Sequence, residues 1–241
     1  MSSDKMVVLI TGRGNNTLTD KNIIPVCDKP LLSYGAEAAK KVNGVSDYYI
    51  SSDDDNILNT AHSLGYTKIK RPDELGSPEA KHGDAVYHAV QVMKVRDNVE
   101  PDILVIMMAN CATIKTSQIE DCIKLLKEDE SLSTVAPVIQ NNDHHPFRAK
   151  RIREDGLIDT FVPLAGHDIA SNRQQLEPNY FLCHSFYVLR VSNCFKEDGQ
   201  PPWNFMGNKV KPYIVDYSLD VHSKEDIVLT ENWVNENKGD M

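Results

Sequence analysis

The chain has 241 residues, of which 41% are hydrophobic and 25% are charged, as is typical of a globular protein with one large domain. No apolar run approaches the roughly 18 residues that span a bilayer, and the formal net charge of −9 argues against non-specific nucleic-acid binding. The five cysteines are widely spaced and residues 1–10 lack a signal-peptide pattern. We therefore expect a cytoplasmic protein with reduced thiols and with neither nucleic acid nor membrane as a partner.

Three continuous apolar runs of strand length, at 6–10, 47–50 and 102–108, predict strands that are buried on both faces, as in a parallel sheet. Apolar residues at helical spacing follow these runs. The alternation predicts an α/β fold with a Rossmann-like, mostly parallel sheet flanked by helices. Because ligands of such sheets bind beyond the carboxyl ends of the strands, we expect the functional site in the loops that follow the three runs.

The pattern changes at 141–173, which is polar and rich in turn residues. Two short strands are predicted there, at 148–152 and 157–162. The Asp155-Gly156 dipeptide between them favours a hairpin. This segment is therefore interpreted as a small β-hairpin insert in the α/β fold.

The main α/β domain is predicted to comprise 1–140 and 174–241. Its last elements are expected to be two strands and a closing helix, at 180–191, 212–215 and 226–235.

The loop after the first apolar run contains two glycines and two cations. Gly12 and Gly14 allow close approach of a ligand, successive N–H groups of such a loop can bind phosphate oxygens, and Arg13 and Lys21 add cationic donors. The loop has neither the Gly-Lys-Ser/Thr of a Walker A motif nor a GxGxxG pattern. Its chemistry favours a nucleotide site, with a polar turn carrying incidental charges as the alternative.

Short motifs follow one another along nearly the whole chain. Their combined order and spacing is a specific signal of a protein family, although each motif alone is a weak one. They are Gly12-Arg13-Gly14-Asn15-Asn16 with Lys21-Asn22, Lys29-Pro30-Leu31-Leu32, Ser51-Ser52-Asp53-Asp54, Arg71-Pro72-Asp73-Glu74-Leu75, His144-His145-Pro146, Arg173-Gln174-Gln175-Leu176 and Ser218-Leu219-Asp220-Val221. In these motifs the chain resembles the cytidylyltransferases that activate sialic acids, the acylneuraminate cytidylyltransferase family.

The resemblance implies a fold of the nucleotide-diphospho-sugar transferase type, in which the hairpin insert at 141–173 is a dimerisation element of a homodimer. It also implies the transfer of CMP from CTP to a hydroxyl group of an acidic sugar, with release of pyrophosphate. The implied partners are CTP and a small anionic acceptor. The implied cofactor is Mg²⁺, with Mn²⁺ as the alternative ion.

The resemblance further assigns roles to individual positions. The implied catalytic residues are Arg13, Lys21 and Asp220, with the two cations on the triphosphate. The implied metal ligands are Asp220 and His222. The implied nucleotide-binding residues are Gly12, Gly14, Asn15, Asn22, Arg71, Ala80 and His82, with Arg71 on the cytosine edge. The implied acceptor-binding residues are Lys115, Arg148, Arg173, Gln175 and Tyr187, with Arg148 supplied across the dimer.

The chain departs from the family pattern mainly on the acceptor side. His222 stands where the family has a second metal aspartate, Ala109 where it has an acceptor-binding glutamine, and Cys183-His184 where it has Asn-Gly. The loop after the first strand is one residue shorter and lacks the family's loop lysine. We therefore expect CTP use, and the acceptor stays open among a sialic-acid-like sugar, a Kdo-type octulosonate and a phosphonate.

Two further hypotheses stay open. One is a non-catalytic homologue that binds a nucleotide without transferring it. The other is an enzyme that uses a different nucleoside triphosphate, such as GTP or UTP.

Overall fold

The fold is described from a computed structural model, over residues 4–14, 16–163, 166 and 169–239. Helices and strands alternate along the first part of the chain. These elements are β1 (Met6–Thr11), β2 (Pro25–Val26), β3 (Lys29–Pro30), α1 (Leu31–Lys40), β4 (Val45–Ser52), α2 (Asp55–Ser63), β5 (Thr67–Lys70), α3 (Asp73–Gly76), α4 (His82–Asp97), β6 (Ile103–Met108), α5 (Thr116–Glu128) and β7 (Thr134–Gln140). The later elements are β8 (Lys150–Ile152), β9 (Ile158–Thr160), β10 (Tyr180–Leu182), β11 (Phe186–Arg190), β12 (Val210–Ile214) and α6 (Lys224–Asn237).

One mixed sheet of eight strands organises the described part of the chain. Its order is β10-β7-β11-β6-β1-β4-β5, with β12 paired to β7. Strands β6, β1, β4 and β5 are parallel to one another, and β12 is parallel to β7. Strands β10 and β11 run antiparallel to their neighbours. The prediction of a Rossmann-like, mostly parallel sheet flanked by helices is confirmed.

The apolar run of β1 is continuous because both faces of this strand are covered. Successive side chains of a strand point to opposite faces. Val8 and Ile10 belong to the apolar cluster that includes residues of α1, α2 and α5. Val7 and Leu9 belong to the cluster that includes residues of α4. The central strands therefore form the middle layer of a three-layer α/β domain.

The carboxyl ends of β1, β4 and β6 meet at one edge of the sheet. Thr11, at the end of β1, lies opposite Ser51 of β4 and Met108 of β6. The loop after β1 is attached to the same edge, because the Gly12 N–H donates to the Ser51 carbonyl at 3.2 Å. The loops after the three predicted strands are thereby brought together.

The segment predicted as one strand at 180–191 consists of two strands, β10 and β11. The chain is interrupted at 183–185, where the Cys183 N–H donates to the Pro137 carbonyl at 2.9 Å and the Met108 N–H donates to the Ser185 carbonyl at 2.9 Å. Among the described strands, β10 pairs with β7 alone, whereas β11 pairs with both β6 and β7. The single-strand prediction is wrong because these two long-range registers differ.

The predicted hairpin is present as β8 and β9, which form a separate antiparallel sheet. Gly156, in the turn between them, has a φ of +79°, a value that favours glycine. Both strands are shorter than the expected 148–152 and 157–162. Among the described residues, no helix has both the length and the apolar character that crossing a bilayer requires.

Candidate active site

A cleft of about 370 Å³ lies beyond the carboxyl ends of β1 and β6. Its walls come from the loop after β1, the segment from Arg71 into α4, the end of β6 and the segments before β11 and α6. The predicted positions that line it are Gly12, Arg13, Lys21, Asn22, Arg71, Ala80, His82, Asp220 and His222. The structure therefore brings most of the predicted nucleotide, catalytic and metal positions into one site. The roles of these residues stay predictions.

The loop after β1 packs closely against the sheet. A Cβ atom on Gly12 would lie 2.8 Å from the Cβ atom of Ala109, so this position has no room for a side chain. Asn22 is buried, and its Nδ2 donates to the Arg13 carbonyl at 2.8 Å. This hydrogen bond joins the two ends of the loop. The predicted nucleotide position Asn15 lies outside the described residues.

Two hydrogen bonds connect this loop to the neighbouring segments. The Gly14 N–H donates to Asp53 Oδ1 at 3.0 Å. Arg13 Nη1 donates to the Ser77 carbonyl at 3.0 Å. A Cβ on Gly76 would lie 2.7 Å from Asp53, so the segment after β5 also packs against this carboxylate. The loop after β1 is thus held to the segments that follow β4 and β5.

Arg71 is the most deeply buried cation that lines the cleft, with 5% of its surface exposed. Its Nε donates to Ser51 Oγ and its Nη2 to the Ser51 carbonyl, both at 2.9 Å. Burial lowers the pKa of the guanidinium to about 10, against the opposing effect of Asp53. The group stays charged at neutral pH, with its plane fixed by Ser51.

His82, the first residue of α4, lies beside Arg71 in the same wall. Its Nε2 is 3.0 Å from Thr11 Oγ1, and its ring packs edge-to-face on Phe205 at 5.5 Å. Burial is the main cause that lowers the pKa of His82 to about 3, and the charges of Arg71 and His184 act in the same direction. The imidazole is therefore neutral at physiological pH.

Lys21, Asp220 and His222 form a second group of polar side chains that lines the cleft. His222 Nε2 lies 2.5 Å from Asp220 Oδ2, and its Nδ1 lies 3.5 Å from Lys21 Nζ. Burial lowers the pKa of Lys21, whereas Asp220 opposes this effect and Arg13 adds to it. The lysine is thus a partly desolvated cation next to a carboxylate.

The position of Asp220 is fixed by contacts on both sides. Asp220 forms a β-bridge with Cys111, and the Val221 N–H donates to the Asn110 carbonyl at 2.8 Å. The Ser223 side chain then caps α6 in a capping box with Asp226. Among the described residues no cluster of three or more His, Cys, Asp or Glu side chains has the arrangement of a metal site. A metal ion held by Asp220 and His222 would therefore need further ligands, from water or from a bound nucleotide.

The predicted acceptor positions do not join this cleft, and their assignment remains a prediction. Arg173 and Arg148 both face the Asp143 carboxylate, which accepts a hydrogen bond from Arg173 and lies 3.7 Å from Arg148 Nη1. Gln175 ends the 3-10 turn Arg173–Gln175. Lys115 immediately precedes α5. Within the described part of the chain, none of these four side chains lines the cleft.

Tyr187 differs from the other acceptor positions because it lies directly behind the cleft wall. The side chain is 1% exposed, and its hydroxyl is 2.6 Å from Nδ1 of His184. His184 lines the cleft, although it was not predicted as a site residue. The signal that could have identified it is the departure from the family pattern at Cys183-His184.

An α/β sheet with polar and charged side chains at its carboxyl edge defines a protein of the Rossmann-like class, whose ligands bind at this edge. The chain belongs to the cytidylyltransferase family, whose model matches residues 7–156.

Three relatives illustrate the similarity in sequence. The chain is 24% identical over 139 residues to N-acylneuraminate cytidylyltransferase of Escherichia coli O18:K1:H7, covering 57% of this chain and 32% of the relative. It is 24% identical over 124 residues to 8-amino-3,8-dideoxy-manno-octulosonate cytidylyltransferase of a Shewanella species, covering 51% and 47%. It is 25% identical over 131 residues to 3-deoxy-manno-octulosonate cytidylyltransferase of Thermodesulfovibrio yellowstonii, covering 54% and 51%. The matched region thus spans from 32% to 51% of these relatives' length.

Two solved structures share the fold over nearly the whole chain. One is a CMP:2-keto-3-deoxy-manno-octonic acid synthetase complexed with CTP, with a TM-score of 0.67, 15% identity and coverage of 97% of this chain and 99% of that chain. The other is 4-diphosphocytidyl-2C-methyl-D-erythritol synthase from Anaerococcus prevotii, with a TM-score of 0.66, 11% identity and coverage of 96% of each chain. At these identities the likeness establishes the shared fold.

Proposed function

We propose that the protein transfers CMP from CTP to a hydroxyl group of a small anionic acceptor and releases pyrophosphate. The observation that supports this most is that Arg71, Lys21 and Asp220 line one cleft. The acceptor classes suggested by the named relatives are sialic-acid-like sugars and Kdo-type octulosonates.

Arg71 suits recognition of the cytosine base. Its Nε and Nη2 are engaged by Ser51, so the guanidinium plane is fixed before a nucleotide arrives. Cytosine offers two neighbouring acceptors, O2 and N3, to such a planar donor group. Uracil has an N–H at position 3, which would face another donor. A fixed guanidinium therefore favours CTP over UTP.

Arg13 and Lys21 suit the triphosphate. In the transfer step the acceptor hydroxyl oxygen bonds to the α-phosphorus while the anhydride bond to the β-phosphate breaks. The hydroxyl proton passes to solvent and pyrophosphate leaves. Positioning and neutralisation of charge dominate such reactions. Arg13 would exchange the Ser77 carbonyl for phosphate oxygens, and Lys21 would gain an anionic partner that offsets its burial.

The pair Asp220 and His222 fits a divalent ion in its donor chemistry. A carboxylate oxygen and an imidazole nitrogen are both suitable ligands and lie next to each other. When bound, the ion would neutralise charge on the phosphates. Asp220 would hold it at the end of the cleft near Lys21. Mg²⁺ and Mn²⁺ are the candidates, and the imidazole nitrogen favours Mn²⁺ more than a second carboxylate would.

The hairpin insert is proposed to join two copies of the chain. Ile152, Ile158 and Phe161 of this insert are 78%, 70% and 63% exposed. Such exposed apolar side chains favour a protein interface. Light scattering after gel filtration should give twice the 27.1 kDa of one chain. The Ile158→Lys variant should give the monomer mass, and a monomeric wild type would contradict the dimer.

Pyrophosphate release is the experiment that tests the function. The wild type is incubated with CTP, UTP, GTP or ATP, with Mg²⁺ or Mn²⁺, and with N-acetylneuraminate, 3-deoxy-manno-octulosonate or a small phosphonate. Release is expected with CTP and one of the acids. Lys21→Gln should lose this activity, whereas Lys29→Gln, a variant of the exposed ion pair with Glu37, should keep it.

Two outcomes would contradict this function. CTP binding without release on any of the acids supports a nucleotide-binding homologue. Release with another nucleotide supports a different nucleotidyltransferase.

A further inference from the structure

The segment between β10 and β11 places His184 at the same sheet edge as the loop after β1. Strands β6 and β11 are antiparallel, with Met107 opposite Phe186. The Met108 N–H then donates to the Ser185 carbonyl at 2.9 Å, which continues this register by one residue. His184 is the next residue beyond this pairing, and it lines the cleft.

His184 lines the cleft together with Arg71 and His82 on the one hand and with Lys21, Asp220 and His222 on the other. Its partner Tyr187 packs on Phe205 with ring centres 6.1 Å apart, and His82, in the wall with Arg71, packs on the same ring at 5.5 Å. Asp220 and His222 line the same cleft, and after burial their charges are the causes that act on the pKa of His184. A nucleotide with its base at Arg71 and its terminal phosphates near Lys21 would have its α-phosphoryl group between these two residues. His184 is therefore next to the reacting centre of the proposed transfer.

The contact with Tyr187 determines which nitrogen of His184 has the proton. The Tyr187 hydroxyl is buried and 2.6 Å from His184 Nδ1. A buried phenolic O–H requires an acceptor, and Nδ1 is the acceptor that the described residues offer it. Burial raises the pKa of Tyr187, so the phenol stays protonated and donates. Nδ1 is therefore the acceptor, and the neutral imidazole has its proton on Nε2.

Two observations indicate that the ring is fixed and neutral. The indole of Trp203 packs on it with ring centres 5.3 Å apart, while Tyr187 holds Nδ1. Burial lowers the pKa of His184, although the carboxylate of Asp220 opposes this effect. The side chain thus presents an oriented N–H group without a positive charge.

We propose that His184 is a further catalytic residue, which donates a hydrogen bond from Nε2–H to an oxygen of the α-phosphoryl group during transfer. This inference rests on the proposed function. The bond strengthens as negative charge develops on the phosphoryl oxygens, and His184 keeps its proton throughout. Tyr187 and Trp203 act through His184 and are positioning residues. Tyr187 would then affect the reaction without touching the acceptor.

Two substitutions of His184 distinguish the roles of its two ring nitrogens. The amide nitrogen of glutamine can reach the place of Nε2, whereas that of asparagine reaches only the place of Nδ1. His184→Asn should lower kcat by about 100-fold, the effect of removing one preorganised donor, and leave the Kd for CTP within about threefold. His184→Gln should recover most of the rate. His62→Asn, a variant of a histidine that binds the Tyr66 carbonyl outside the cleft, should match the wild type.

The tautomer is measured independently of activity by ¹⁵N NMR of histidine-labelled protein. His184 Nδ1 should give the shift of an unprotonated nitrogen, Nε2 that of a protonated one, and addition of CTP should move the Nε2–H signal. Tyr187→Phe should produce a mixture of tautomers and a lower kcat with unchanged KM.

A protonated Nδ1, an Nε2–H signal that CTP leaves unchanged, or wild-type kcat in His184→Asn would overturn the inference. A wild type that releases no pyrophosphate while CTP moves the Nε2–H signal would contradict the proposed function and support the His184 contact.

Discussion

Replacing Arg71 by methionine should remove CTP recognition at a small cost in stability. The two hydrogen bonds from the guanidinium to Ser51 contribute about 1.5–3 kcal/mol each to the free energy of unfolding. Against them, burial lowers the pKa of Arg71 from 12.5 to about 10, which corresponds to about 3 kcal/mol against the charged form. Methionine removes both contributions. The free energy of unfolding should therefore fall by about 0–3 kcal/mol.

As a share of the total free energy, the substitution should weaken CTP binding more than it weakens folding. Loss of the cationic donor to the base should weaken CTP binding by about 10- to 100-fold, corresponding to about 1.4–2.8 kcal/mol. The preference for CTP over UTP should disappear with it. Calorimetry with both nucleotides measures the affinities, and urea unfolding measures the stability.

Arg190→Met is the matched control. Arg190 also donates to a carbonyl, that of Leu126 at 2.6 Å, but it does not line the cleft. The CTP affinity of the Arg190→Met variant should equal that of the wild type. An Arg71→Met variant that binds CTP within twofold of the wild type, or that keeps its preference over UTP, would refute the assignment of Arg71 to the base.

Three further substitutions test other parts of the cleft. Asp220→Ala should lower kcat by about 100-fold without lowering Tm, and a normal rate at saturating Mg²⁺ would contradict its role as a metal ligand. His222→Asp should shift the preference of the CTP complex from Mn²⁺ towards Mg²⁺. Electron paramagnetic resonance of bound Mn²⁺ in competition with Mg²⁺ measures this preference. An unchanged ratio of the two metal affinities would exclude His222 as a ligand. The folded-state pKa of His82 is lowered from 6.5 to about 3, so its contribution to stability is present above pH 6.5 and is lost as the pH falls towards 3. The wild type should therefore lose up to about 2 kcal/mol more than His82→Gln between pH 7.5 and 5, and equal losses in urea unfolding would contradict this.

The central strands could be predicted from the sequence because their environment is uniform. Strands β1, β4 and β6 are covered on both faces, so each requires a nearly continuous apolar run and little else. The position of the site followed from these strands, since parallel strands place their loops at one edge. Short-range patterns were thus sufficient for the architecture and for the location of Gly12, Arg13 and Lys21.

Features that depend on long-range pairing could not be predicted in this way. The segment at 180–191 is divided at 183–185 because both of its halves pair with β7 in different registers and the second half pairs with β6 as well. The interruption exposes His184 to the cleft, and the polar pair His184-Ser185 within this segment does not by itself indicate these pairings. Strand β7 contains Pro137, a residue that ordinarily argues against a central strand. Arg148 and Arg173 were predicted from motif similarity, which does not reveal their shared contact with Asp143.

The most direct test of the central claim is ³¹P NMR of wild-type protein with CTP, a divalent ion and the acid accepted in the pyrophosphate assay. The expected result is equimolar formation of pyrophosphate and of a new phosphodiester that joins CMP to the acid. Free CMP with pyrophosphate, without the diester, would show hydrolysis instead of transfer. An unchanged CTP spectrum with every acid would contradict the assignment of this cleft to cytidylyl transfer.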